Sequence, residues 1–161
     1  MAEYSAKIQW ERKKDEAFAD NRYSRAHTWR FDGGAVVPAS SSPHVVRVPL
    51  SDPRAVDPEE ALVAALASCH MLFFLAFSAR KGFTVESYAD DAVGKITKEK
   101  DGREWMSNVT LSPGIVFGGE KRPTAADVHD LHHRAHAACY IANTVKTEIK
   151  IVERNEGLAS G

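Results

Sequence analysis

DPEEALVAALASCHMLFFLAF, residues 57–77, opens on acids, runs apolar for about five helical turns and carries one cysteine and one histidine in its middle. Asp57 is a good N-cap, Pro58 occupies the favoured first helical position, and Glu59 and Glu60 complement the positive end of the helix dipole. Arg80 and Lys81 in the last turn, followed by Gly82, end the pattern. The spacing therefore predicts one helix over 58–81. Its apolar residues continue all round, as in the central helix of a protein core. A membrane span is the competing reading, but the run 61–77 lies at the short edge of the roughly 17–25 residues a span needs and holds Ser68 and His70 in its centre.

Outward from this helix the pattern changes period. Toward the N-terminus, Tyr4, Ala6, Ile8 and Trp10 alternate on one face, and so do Tyr23, Arg25, His27, Trp29 and Phe31. These are two strands of a hairpin, followed by a turn at Asp32–Gly34 and a short strand in AVV. The Ser- and Pro-rich segment that leads into the helix is read as a loop interrupted by a strand at HVVRV, residues 44–48. Beyond the helix, TVESYADDAVGKITKEK and EWMSNVTLSPGIVF flank an Asp-Gly turn as a hairpin of long strands. A second helix opens at Pro123 and Thr124 and ends near Cys139; TVKTEIKIVE then alternates as a closing strand, and residues 154–161 are expected to fray. The order defines an α+β fold with mainly antiparallel pairing, in a single domain over 1–161.

The chain has 161 residues, 43% of them hydrophobic, enough for a real core. Twenty-one basic side chains against 22 acidic ones leave a formal charge of −1, so no global field attracts nucleic acid or an anionic membrane. Neither is expected as a partner. Only Cys69 and Cys139 are present, and the first residues lack the order of a secretory signal, which points to the reducing cytoplasm. In that compartment a cysteine pair is redox-active, catalytic, metal-binding or simply buried.

Cys69 shares a helical stripe with Leu62, Leu66, Phe73 and Ala76, where a small hydrophobe would also serve. A reactive thiol needs a cation to counter the effect of burial, and Arg30, Arg47 and Arg54 are the nearest in sequence. Glu59 or Glu60 would hold such an arginine. Glu59 precedes Cys69 by ten residues, about 15 Å along a continuous helix, so the two meet in one site only across subunits or through a broken helix. His129, His132, His133 and His136 line one face of the second helix; with no acid in register as a further ligand, no metal site is assigned.

DPEEALVAALASCH together with HRAHAACYIANTVKTEIKI resembles the osmotically inducible protein C and organic hydroperoxide resistance family. The likeness covers about Ile8 to Val152 and rests on an Asp-Pro-Glu with a cysteine ten residues after the glutamate, and on a second cysteine at the end of the other helix. It implies an intertwined homodimer with β-sheets wrapped around long central helices. It also implies a thiol peroxidase with no cofactor, whose substrate is an organic hydroperoxide and whose reductant is an external dithiol. Cys69 would be the peroxidatic cysteine, Cys139 the resolving one and Glu59 the carboxylate that orients an arginine, either Arg30 or, preferably, Arg47. Tyr140, where proline is common in the family, and His70, where an apolar residue is common, depart from the pattern. Leu66, Met71, Phe73, Phe74 and Phe77 would favour an organic over a hydrogen peroxide. The alternative is a non-catalytic dimer that holds a small apolar ligand or a metal in the same cavity.

Overall fold

The computed structural model describes residues 1–159, which form two compact units, 1–61 and 62–159. The first carries a three-stranded antiparallel sheet of β1 (Ala6–Gln9), β2 (His27–Phe31) and β3 (Val36–Ala39), with β2 central. The HVVRV segment is a turn, not the expected strand. Pro43 and Pro49 flank it, and the amides of Val45 and Val46 both donate to the Ser42 carbonyl at 3.0 and 2.9 Å, so they are spent locally and offer no ladder to a neighbour.

Helix α1 spans Pro58–Lys81 without interruption, as its caps predict. Glu60 N–H donates to Asp57 Oδ1 at 2.8 Å and Asp57 N–H to Glu60 Oε2 at 3.3 Å, a reciprocal box that pins the first turn. At the other end Gly82 takes φ +76°, and the Gly82 and Phe83 amides bond back to Ala79 and Ser78 at 3.0 Å. This is a Schellman closure, which a β-carbon would strain.

In the second unit the expected long hairpin is broken into four strands that belong to two sheets. β4 (Thr84–Asp90) pairs with β7 (Pro113–Gly118), and β5 (Val93–Lys98) with β6 (Glu104–Leu111), all antiparallel. The breaks at Asp91–Ala92 and at Ser112 face each other, and Ser112 N–H donates to Asp90 Oδ1 at 2.6 Å. Both strands thus change sheet at one place.

α2 (Ala125–Ala138) is capped by Thr124, whose Oγ1 accepts from Asp127 N–H. A short α3 (Tyr140–Thr144) follows directly, so the closing strand β8 begins only at Glu148 and runs to Ile151, parallel to β6. The tail expected to fray instead forms β9 (Arg154–Glu156), parallel to β7. Its order has a source: Arg154 donates to the Ser112 carbonyl at 2.9 Å and pairs with Asp91 at 3.0 Å.

Each sheet of this unit has its own core. Phe74 of α1 and Val128, Leu131 and Ala135 of α2 pack on Ile115 and Phe117 of β7. Leu66 of α1 and Cys139 pack on Val109 and Leu111 of β6. The stripe of α1 that is buried is narrow, Leu66, His70, Phe74 and Ser78, while Leu72 remains 60% exposed. By length and composition α1 is long and apolar enough to cross a membrane.

Candidate functional site

The 1–61 unit contains a cleft of about 440 Å³. One wall is aromatic: Phe18 stacks on Tyr23 with centroids 4.5 Å apart, and Trp10 meets Tyr23 edge-on at 5.4 Å and Phe18 at 5.8 Å. Arg25, His27, Ser40, Ser41 and Glu59 supply its polar lining. Ordinary backbone chemistry assembles it. Ser40 N–H donates to Val56 O and Val56 N–H to Pro38 O, each at 3.0 Å, which lays Ser40 and Ser41 beside the segment that enters α1 and carries Glu59.

Arg25 is held by several partners. Its guanidinium donates to the Asn21 carbonyl at 3.1 Å, to Asn21 Oδ1 at 2.7 Å and to the Tyr23 carbonyl, and it lies 3.7 Å over the Tyr23 ring. All of these partners are neutral, and among the described residues Arg25 forms no ion pair. His27 is fixed by the same strand: Trp29 Nε1–H donates to its Nε2 at 2.9 Å, so its proton sits on Nδ1 and points at the Arg25 carbonyl, 2.8 Å away.

Of the sequence candidates, Glu59 lines this cleft, and Arg30 and Arg47 do not. Arg30 lies exposed on β2 opposite Lys7 and Val36, and Arg47 lies exposed in the turn before Pro49. Among the described residues neither forms an ion pair with Glu59. The arginine that shares the cleft with Glu59 is Arg25, which sequence reasoning placed in an aromatic strand face without giving it a role. Its position between Tyr23 and His27 in that alternation was the available signal. Arg54 is paired with Asp52 at 3.2 Å and 88% exposed.

The second unit holds the thiols. Cys69, half-buried on α1, packs against the fully buried Cys139, and both are free. Cys139 is at once the C-cap of α2 and the N-cap of α3: its N–H donates to Ala135 O and His136 O, and its Sγ accepts from Ala142 N–H at 3.4 Å. Asn143 clamps the junction by donating to the Ala137 and Cys139 carbonyls, both at 2.9 Å. Burial, and secondarily the adjacent Cys69 thiol, push the pKa of Cys139 up to about 11, so it is a thiol at neutral pH. Two neighbouring thiols at a helix junction can interconvert with a disulfide.

His70 turns away from solvent. Its Nε2 lies 3.0 Å from Nδ1 of His132, with both rings buried, and this partnership across two helices is invisible in the sequence. His129 and His133 are exposed, and His129 Nδ1 lies 3.3 Å from Glu153 Oε1. Among the described residues no group of three or more side chains suits a metal ion.

The topology and this two-thiol centre define a class of α+β proteins with a dithiol at a helix junction. The description of the OsmC-like protein family matches residues 51–154, and the chain belongs to that family. No curated protein matches it. Among solved structures, an OsmC-like protein of unknown function from Vibrio cholerae is 53% identical with a TM-score of 0.92, over 95% of this chain and 99% of that one. An organic hydroperoxide resistance protein from Elizabethkingia anophelis is 13% identical with a TM-score of 0.67, over 97% and 98%. That of Bacillus subtilis is 10% identical with a TM-score of 0.59, over 96% and 98%.

Proposed function

We propose that the protein is a cysteine-based thiol peroxidase that reduces bulky organic hydroperoxides, acting as a homodimer. The observation that carries this reading is the contact of a partly accessible Cys69 with a buried, high-pKa Cys139. Membership in a family with relatives described as organic hydroperoxide resistance proteins supports it.

In this reading the Cys69 thiolate attacks the distal oxygen of ROOH. The O–O bond breaks, the leaving alkoxide takes a proton and departs as ROH, and Cys69 becomes a sulfenic acid. Cys139 supplies its thiol, the sulfenic oxygen leaves as water, and a Cys69–Cys139 disulfide forms. An external dithiol then reduces that disulfide by two exchanges and is itself oxidised. Accessibility fits this division of labour, because the thiol that meets peroxide first must be the one solvent reaches.

Arg25, in place of Arg30 or Arg47, is the cation of this site, and Glu59 lines the same cleft. Glu59 and Cys69 stand ten residues apart on an unbroken helix, about 15 Å by its rise, so the cleft of one copy would serve the thiols of a second. The apolar surface that α1 leaves exposed supports a second copy of this chain as its cover. The aromatic wall of Trp10, Phe18 and Tyr23 supports a ring-bearing or otherwise bulky R group over hydrogen peroxide.

The test is the intact mass of reduced protein after one equivalent of an organic hydroperoxide, with and without a thiol-blocking reagent. Loss of the mass of two hydrogens, with both thiols gone, is the expected result. Unchanged mass with both thiols still titratable would overturn the peroxidase. The non-catalytic ligand-binding reading would then be taken up through equilibrium binding to the cleft.

A further inference from the structure

The pair His70 and His132 is an unusual way to join two helices. Both rings are almost wholly excluded from solvent, 1% and 2% exposed; their planes lie within 8° of each other and their centroids 5.3 Å apart, a separation that a 3.0 Å contact between Nε2 of His70 and Nδ1 of His132 reaches only when the hydrogen bond runs in the plane of both rings. No carboxylate is hydrogen-bonded to either ring among the described residues, and burial holds both below the ordinary histidine range, to about 4 and about 3, so both are neutral at pH 7. A neutral imidazole has one donor and one acceptor. The shared bond therefore uses one of each and strands the others: among the described residues His70 Nδ1 and His132 Nε2 have no partner, one being an N–H and the other a lone pair. Two apolar side chains would fill the same space without that cost.

What the imidazoles add is direction. An apolar contact tolerates sliding, whereas an in-plane N–H···N bond is met at one register only. The residues on either side show what that register holds. On α1, His70 directly follows Cys69; on α2, His132 precedes Cys139 by seven residues, two turns, on the buried face that also carries Val128 and Ala135. The Phe74 ring packs 4.4 Å from His132 and closes the contact from the next turn of α1. A shift of α2 by one turn would offer Val128 or His136 to His70 and carry Cys139 about 5 Å from its place beside Cys69.

We infer that the His70–His132 hydrogen bond is a positioning device for the thiol pair, locking the register of α2 on α1 so that Cys139 stays within reach of Cys69. The inference concerns the disulfide half of the proposed reaction and rests on that reading for its biological use, but the geometry it describes can be measured without peroxide. The moving part, if α2 is locked, is the junction at Cys139 and the short α3, where a small backbone adjustment brings the sulfurs to bonding distance.

The test equilibrates the full-length protein in glutathione buffers of graded composition. In them, oxidised glutathione takes two hydrogens from Cys69 and Cys139 and leaves as two reduced molecules. The disulfide fraction, read by alkylation and intact mass, gives the effective concentration of one thiol at the other. His70→Phe with His132→Phe is expected to lower that value by about tenfold or more, equivalent to about 30 mV, while the far-UV spectrum is unchanged. His70→Gln with His132→Asn, whose amides stand at the same Nε2 and Nδ1 positions, is expected to recover most of it. An unchanged value in the phenylalanine pair would overturn the inference, as would a wild-type protein that forms no disulfide in glutathione. If the phenylalanine pair does not fold, His70→Met with His132→Leu replaces it, read against the Gln/Asn pair. Disulfide formation in glutathione without peroxide consumption would leave the positioning role standing and remove the peroxidase.

Discussion

Cys69 and Cys139 lie side by side, and only Cys69 reaches solvent. This inequality assigns different fates to two chemically identical groups. Cys69→Ser is expected to abolish peroxide consumption. Cys139→Ser is expected to allow one oxidation of Cys69 and then stall, or to pass on to the sulfinic and sulfonic acids, seen as added oxygens in the intact mass. Undiminished steady-state turnover by Cys139→Ser would contradict the resolving role.

Arg25 and Glu59 share a cleft that Arg30 and Arg47 do not enter. Arg25→Ala should slow the oxidation of Cys69 in single turnover by about 10²-fold, the usual cost of losing one preorganised charged donor. Arg47→Ala should leave it within about twofold, since its side chain lies in an exposed turn. The reverse order would return the site to the arginine first favoured from the sequence.

The aromatic wall makes a claim about selectivity that is separate from the claim about chemistry. Trp10→Ala should raise KM for a ring-bearing hydroperoxide by about tenfold, the worth of one aromatic contact. KM for a small alkyl hydroperoxide should change much less. Equal effects on both would mean that the wall supports the fold and does not contact the substrate.

Acid should destabilise the core through the histidine pair. In the unfolded chain both rings titrate near 6.5, whereas in the fold burial holds them at about 4 and about 3. Between these limits the unfolded state binds protons that the folded state refuses, so stability falls as pH drops from about 6.5 to about 3 and levels off once both native rings are charged. Each ring accounts for a loss on the order of 3 kcal/mol, and somewhat more for His132, which burial and then the charge on His70 hold lower. Urea titrations at pH 7 and pH 4.5 should show a smaller difference for His70→Phe with His132→Phe than for the wild type. An identical difference would show that other groups carry the acid sensitivity.

α1 leaves Leu72 60% exposed in a helix with few charges. Light scattering on the eluted protein should give twice the mass of the chain, and Leu72→Glu should shift it toward one. A monomeric wild type would remove the second copy, and partition of the protein into detergent or lipid would give that surface to a membrane.

Much of this molecule is readable along the chain because local rules set it. The boundaries of α1 follow from Asp57, Pro58 and Gly82, whose capping chemistry involves neighbours within a few residues. β1 and β2 follow from a period-two alternation, and the thiols stand where a family pattern puts them. The misreadings have different causes. HVVRV has strand composition, but flanking prolines interrupt it and the Ser42 carbonyl claims the amides of Val45 and Val46; the tail lacks strand composition, but Arg154 finds Ser112 and Asp91 across the fold. A local acceptor decided the first and long-range partners the second.

The same division holds for the candidate site. By itself the sequence determined the two cysteines, the helix that carries Cys69, the helix end that carries Cys139 and the acid at the start of α1, because each is a property of one element. Only the tertiary structure decided that Arg25 and not Arg47 faces the cleft of Glu59, that Cys139 is the buried thiol, and that His70 bonds to His132 sixty-two residues away. Side-chain exposure and pairing depend on which surfaces of separate elements meet. That choice is made by packing across the whole chain, where no residue's immediate neighbours record it.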